Sequence, residues 1–285
     1  MLDKIVLGTA QLAPNYGITK YIKKISFNEF KKISNFCLKN NISYIDTAMN
    51  YKNSDEYLNL INKNKFKIIT KIPYLDIKKK DNIILKVDKH ISKILNTLKV
   101  EKFYALLLHS PRQLNLKNSK FFYNYLEKLK QRGIFNKLGI SVYTKNQTVK
   151  ILKKYKVDII QFPYNLINRS FDEQNFIKKL KRKKIELHAR SCFLQGVLLN
   201  KPKTKKKFFN NNLEEYFKWI KEETLNPFEA CLNFVYQNKD IDKFVLGFDN
   251  LKQIKYLKKI NLKKKIKIPK KFNIKNKKII DPRKW

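Results

Sequence analysis

The chain has 285 residues, 64 Lys+Arg against 23 Asp+Glu, a formal net charge of +41, and 43% hydrophobic and 13% aromatic residues. So much apolar material excludes a disordered polybasic chain, which has too little of it to offset conformational entropy. No run reaches the roughly 20 apolar residues of a membrane span.

Apolar runs at strand spacing alternate with amphipathic stretches from one end to the other. A first strand is predicted over Lys4 to Leu7, then a helix over Asn28 to Lys39. Ser43 to Asp46 precedes a helix over Asp55 to Ile61, and Lys67 to Thr70 precedes one over Asn82 to Leu98. Phe103 to Leu108 is followed by Phe121 to Gln131, Lys137 to Ile140 by Asn146 to Tyr155, and Asp158 to Gln161 by Asp172 to Lys183. Ile185 to Ala189 leads to helices over Leu213 to Lys221 and Pro227 to Gln237, and Lys243 to Leu246 leads to one over Asn250 to Lys259. Eight such units over residues 1–260 predict a single-domain α/β fold, the (β/α)8 TIM barrel. A doubly wound sheet usually opens on a glycine-rich turn, and no GxGxxG follows Leu7. Residues 261–285 read as a Lys-rich tail, lying on the barrel or in solvent.

Cys37, Cys192 and Cys231 are odd in number and form no CxxC pair, and no secretory h-region follows Met1. The expectation is a cytoplasmic protein with no disulfide framework and no metal site. The charge first points to nucleic acid. Only six basic residues are Arg, however, and lysines run from Lys23-Lys24 through Lys205 to Lys207 to Lys263 to Lys265. A recognition surface would concentrate them, so no specific nucleic-acid partner is expected.

Gly8, Gly139 and Gly247 follow predicted strands 1, 5 and 8, and Gly196 lies shortly after strand 7. A barrel builds its site at the C-terminal strand ends. Asp46 and Tyr51 stand there after strand 2, Lys71 after strand 3 and His109 after strand 4. A buried Asp46 would fix a charged Lys71, and Lys71 beside the Tyr51 hydroxyl would bring that phenol down from about 10 toward working pH. Such a tyrosine is a general acid for a carbonyl oxygen. His109, neutral among Leu106, Leu107 and Leu108, would orient that carbonyl.

These residues sit in segments that resemble the aldo-keto reductases. The segments are Gly8-Thr9-Ala10-Gln11, Ile45-Asp46-Thr47-Ala48 with Tyr51, Thr70-Lys71-Ile72 and Leu107-Leu108-His109-Ser110. They continue as Leu138-Gly139-Ile140-Ser141, Ile160-Gln161-Phe162-Pro163-Tyr164-Asn165, Ala189-Arg190-Ser191 through Gly196, and Val245-Leu246-Gly247. The resemblance implies reduction of aldehydes or ketones by a nicotinamide cofactor. Tyr51 matches the proton donor, Asp46 and Lys71 its supporting pair, and His109 the carbonyl-orienting residue. It also implies carboxamide contacts at Gln161 and Ser141, and a nicotinamide-stacking position at Arg190, where a guanidinium replaces the usual ring. Ser191, Phe193 and Gln195 match the pyrophosphate loop, and Thr9, Gly247, Phe248, Asp249 and Gln253 complete the implied cofactor set.

The chain departs from the family's pattern in two regions. Phe248, Asp249 and Gln253 stand where NADPH-preferring members usually carry Lys or Arg, so NADPH is the default and NADH stays open. Lys52 replaces the glycine that usually follows the tyrosine, which touches the loop carrying Tyr51. A competing reading is a nicotinamide-binding sensor barrel with little turnover. Tyr16, Tyr21, Tyr51, Tyr74 and Tyr143 are candidate pocket residues, and Arg112 with the loop lysines points to a sugar-like or anionic carbonyl substrate. The oligomeric state is left open.

Overall fold

The computed structural model describes residues 2–13, 16–17, 25–200, 210–262 and 266–285. Eight parallel strands close on themselves in sequence order: β1 (Ile5–Gly8), β2 (Tyr44–Asp46), β3 (Lys67–Ile72), β4 (Phe103–Leu108), β5 (Phe135–Ser141), β6 (Ile159–Pro163), β7 (Glu186–Arg190) and β8 (Lys243–Leu246). Pairing of Val6 with Val245 closes the ring. Around it lie α1 (Phe27–Lys39), α2 (Ser54–Asn59), α3 (Ile83–Leu98), α4 (Ser119–Gln131), α5 (Lys145–Leu152), α6 (Phe176–Arg182), α7 (Asn210–Glu222), α8 (Pro227–Gln237), α9 (Leu251–Tyr256) and α10 (Lys277–Ile280). This is the (β/α)8 barrel, with two α-helices between β7 and β8 among the described residues. Among the described residues, no helix is long and apolar enough to cross a membrane.

Local chemistry starts the helices where they begin. Ser26, Thr144, Asn226 and Asn250 each accept a backbone N–H from the first turn that follows, the usual remedy for unpaired helical donors. The helix predicted from Asp172 starts only at Phe176, because Gln174 and Asn175 take left-handed backbone, with φ of 57° and 56°. Their side chains are unbranched at Cβ, and asparagine tolerates that region best of the ordinary residues.

Period-two alternation then decides which side chains enter the barrel. Ile5, Leu7, Ile45, Ile68, Ile160 and Leu187 pack outward in the main core beneath the helices. Val6, Ile69, Ala105, Leu107 and Ile159 pack together inside the ring. Gly139 belongs to this inner layer: a Cβ there would lie 2.3 Å from a Leu107 methyl and 2.8 Å from the Ile159 carbonyl oxygen.

Further toward the strand starts the interior is polar. Glu186 is fully engaged: His188 Nε2 lies 2.6 Å from Oε1, the Tyr104 hydroxyl donates to Oε2 over 2.8 Å, and Lys137 pairs with the same oxygen. Burial works to raise the Glu186 carboxyl, but His188, Lys137 and Tyr104 overcome it and hold it well below the usual carboxylate range.

The described part of the Lys-rich segment lies on the barrel. Phe272 is buried against Tyr216 and Trp219, Ile274 N–H donates to the Ile167 carbonyl, and Ile279 is buried. This path carries Pro282 and Arg283 to the C-terminal end of the barrel.

Two stability measurements check this packing. Gly139→Ala should lower the unfolding free energy by about 1–3 kcal/mol through overpacking; an unchanged urea midpoint would refute the close contact. Glu186→Gln should lose about 1–3 kcal/mol at neutral pH, because Lys137, Tyr104 and His188 lose a charged acceptor. Because the folded carboxyl is depressed, its contribution is present above about pH 4.3 and is lost as pH falls through the folded value. Wild type and variant should therefore converge in melts taken at progressively lower pH.

Candidate active site

The alternation that fills the barrel also selects its upper rim. The last inward position on each strand, or the residue just after it, is Gly8, Asp46, Lys71, His109, Ser141, Gln161, Arg190 and Gly247. All eight line one cavity of about 1090 Å³. Thr9 and Phe248 have the opposite parity and do not line it. Thr9 is buried, its hydroxyl bonded to the Asp46 carbonyl at 3.2 Å and to the Thr47 hydroxyl at 3.0 Å. Phe248 is buried in the core.

Asp46 ties the centre together. One carboxylate oxygen pairs with the Lys71 ammonium, and the other accepts from Gln161 Nε2 at 2.8 Å. Lys71 also donates to the Thr47 carbonyl at 3.1 Å. Both members of the pair are almost fully buried. Burial pulls the Lys71 ammonium down from its ordinary value, with the Asp46 charge opposing that pull.

Tyr51 sits beside this pair, its ring centroid 5.3 Å from the Lys71 Nζ. Its ring meets His109 edge to face, with centroids 5.9 Å apart. The expected depression of the tyrosine does not occur. Burial and the Asp46 carboxylate push the Tyr51 phenol well above its ordinary value, against the opposing charge of Arg190. Tyr51 is therefore a fully protonated phenol at neutral pH. Burial, with the charges of Lys71 and Arg190, lowers His109 to about 4. The imidazole is neutral.

Lys52 leaves this loop undisturbed. The left-handed position after Tyr51 falls on Asn53, with φ of 68°, and Lys52 is not among the positive-φ residues. A glycine is not required where the lysine stands.

Beyond Arg190 the chain turns tightly. Ser191, Leu194 and Gln195 have φ of 56°, 47° and 53°, and Gly196 of 85°. Non-glycine residues hold that backbone at a cost of about 1–3 kcal/mol each, and such strain gathers at binding loops. Ser191, Phe193 and Gln195 all line the cavity, with Phe193 stacked on Phe228 at 4.9 Å.

The end of the cavity near β8 is acidic. Asp249 accepts from Gln11 Nε2 at 2.5 Å and Gln253 Nε2 at 3.1 Å, and its N–H donates to Gln253 Oε1 at 2.8 Å. Glu29 accepts from Leu251 N–H at 2.6 Å. All four of these side chains line the cavity, whereas Lys252 and Lys255 are exposed and outside it.

Gln11, Glu29 and Arg283 are absent from the site read in the sequence. Gln11 lay in a quoted motif without a role, and the Ser26-x-x-Glu29 spacing of a capping box marks Glu29. Arg283 had no local signal. Tyr16 and Tyr143 line the cavity, Tyr74 and Arg112 do not, and Tyr21 lies outside the described residues.

Comparison with known proteins places this geometry. A solved aldo-keto reductase from Bacillus halodurans, in its holo form, superposes with a TM-score of 0.71 at 16% identity, covering 95% of this chain and 89% of that one. A putative aldo-keto reductase from Pseudomonas aeruginosa gives 0.63 at 18% identity, covering 87% and 85%. At these identities the likeness speaks for the fold. No curated protein matches the chain. The Aldo/keto reductase family model matches residues 4–271, nearly the whole chain. The chain belongs to the aldo/keto reductase family and is an oxidoreductase of the carbonyl-reducing kind.

Proposed function

We propose that the protein is an NAD(P)H-dependent carbonyl reductase in which Tyr51 is the general acid. The observation that carries this reading is the buried Asp46–Lys71–Gln161 network beneath a protonated Tyr51 and a neutral His109. A pure binding module has no use for that combination.

The cavity fits a dinucleotide. Its volume of about 1090 Å³ exceeds what a small aldehyde needs. Its polar groups are spread from Ser141 and Gln161 through the Ser191 to Gly196 turn to Gln11 and Asn250. Gln161 Nε2 is committed to Asp46, which leaves Oε1 to accept from a carboxamide. Ser141 offers a hydroxyl beside it. A bound reduced nicotinamide supplies the hydride.

The chain's own residues do the rest. His109, neutral, donates a ring N–H to the substrate oxygen and fixes its orientation. Tyr51 carries its proton until negative charge builds on that oxygen, then delivers it. Lys71, anchored by Asp46, faces the phenolate left behind and stabilises it. A high proton affinity at rest keeps the acid loaded throughout the neutral range, at the expense of driving force for the transfer.

Tyr51→Phe should lower turnover of an aromatic aldehyde by about 10²–10⁴ while cofactor affinity stays nearly unchanged. Equal turnover in both proteins would remove Tyr51 from the mechanism, and no turnover in either with intact cofactor binding would favour a sensor. For wild type, kcat/KM for reduction should stay flat from about pH 5 to about pH 9 and fall as pH drops through the His109 value of about 4.

NADPH is the usual cofactor of the family; we propose that this chain leans toward NADH. Asp249 and Glu29 line the far end of the cavity, where a 2′-phosphate would meet two carboxylates and no lysine among the described residues. Each such encounter costs about 1 kcal/mol in well-solvated surroundings. In fluorescence titrations, NADH should bind wild type more tightly than NADPH. Asp249→Asn should move the ratio of dissociation constants toward NADPH about fivefold, and an unmoved ratio would detach Asp249 from that choice.

A further inference from the structure

Six arginines stand among 64 basic residues, so the chain uses lysine almost everywhere a cation is wanted. Two of the six meet on one ring inside the cavity. The Arg190 guanidinium, at the end of β7, lies 4.1 Å from the Tyr143 ring centroid, and that of Arg283 lies 3.3 Å from it. Arg283 comes from the Pro282–Lys284 turn, far along the chain from β7, and all three residues line the cavity.

Both guanidiniums are anchored and, among the described residues, neither is saturated. Arg283 directs Nε and Nη2 to the two oxygens of Asp281, at 2.8 and 2.6 Å. Arg190 donates from Nη2 to the Val142 carbonyl at 3.2 Å and from Nη1 to the Ser191 hydroxyl at 3.4 Å. A guanidinium has five N–H donors, and these contacts use two on each. Among the described residues, Arg283 pairs with Asp281, the hydrogen bonds of Arg190 go to a carbonyl and a hydroxyl, and Asp46 is paired with Lys71. Arg190 acts at the reacting end, since its charge helps to keep His109 neutral.

We propose that Arg190, held across Tyr143 from Arg283, does not stack on a nicotinamide but joins Arg283 to recognise an anionic oxygen group, a carboxylate or a phosphate monoester, on the carbonyl substrate. The fork of an arginine matches such groups in two-point contact as a lysine cannot. Contact with Tyr143 and these hydrogen bonds reduce the side-chain entropy left to lose on binding. This places the substrate's charge at the rim, where Arg283 is about half exposed, and its carbonyl deeper, at Tyr51 and His109. The carbonyl half rests on the reductase reading; the anion half rests on the arginines alone.

The test compares 4-methylbenzaldehyde, 4-carboxybenzaldehyde and 4-formylphenyl phosphate as substrates for wild type and Arg283→Gln. Wild type should prefer one charged aldehyde over the methyl compound, and the preferred one identifies the anion. In Arg283→Gln that preference, read as a ratio of kcat/KM values, should fall about 10- to 100-fold, chiefly through KM. Preference for the methyl compound in wild type, or a ratio unmoved by the substitution, would overturn the proposal. A calorimetric titration with 4-(hydroxymethyl)benzoate and 4-(hydroxymethyl)phenyl phosphate, against 4-methylbenzyl alcohol, separates the two layers. Tighter binding of a charged alcohol, weakened in Arg283→Gln, would uphold the anion site even if no aldehyde turned over. Equal binding of all three by wild type would sink the anion site even in an active reductase.

Discussion

The site depends on one buried carboxylate. Asp46 ends β2 facing into the barrel, and its two oxygens hold Lys71 from β3 and Gln161 from β6. An unpaired charge at that depth would be expelled or neutralised. The pair survives because the backbone completes it: Lys71 donates to the Thr47 carbonyl, and Thr9 supports the Asp46 carbonyl. Three strands are thereby registered at their C-terminal ends. Tyr51 and His109 then sit on a base that cannot easily shift.

That base also sets the proton affinities. Burial and the Asp46 carboxylate keep the Tyr51 phenol protonated. The same burial, with nearby cations, keeps His109 neutral. One group is loaded to give a proton and its neighbour is kept from competing for it. Along the cavity the polarity reverses, from arginines near the reacting end to Glu29 and Asp249 at the other. In a chain of net charge +41, carboxylates at that end are not a by-product of composition.

Most of the barrel was legible because strand alternation is a local property. Once the eight strands are placed, period two predicts that Asp46, Lys71, His109, Ser141, Gln161 and Arg190 face one space, and all of them do. The same rule, applied strictly, would have set Thr9 and Phe248 aside. What was not legible depends on contacts between distant segments. Glu29 reaches the site only because α1 packs on α9, and Arg283 only because residues 266–285 return along the barrel to Tyr143. The proton affinity of Tyr51 escapes the sequence for a related reason: a lysine nearby is visible in it, but the burial that pushes the phenol up belongs to the packed site.

The support of Tyr51 requires Asp46 and Lys71 to act as one unit. Unfolding free energies of Asp46→Asn, Lys71→Met and the double variant measure this directly, without a substrate or cofactor. Each single substitution leaves a buried charge or polar group without its partner, whereas the double removes both charges. The double variant is expected to be at least as stable as the less stable single, so that the losses are strongly non-additive. Losses that simply sum would mean that the two side chains do not depend on each other, and the support assigned to Tyr51 would be wrong.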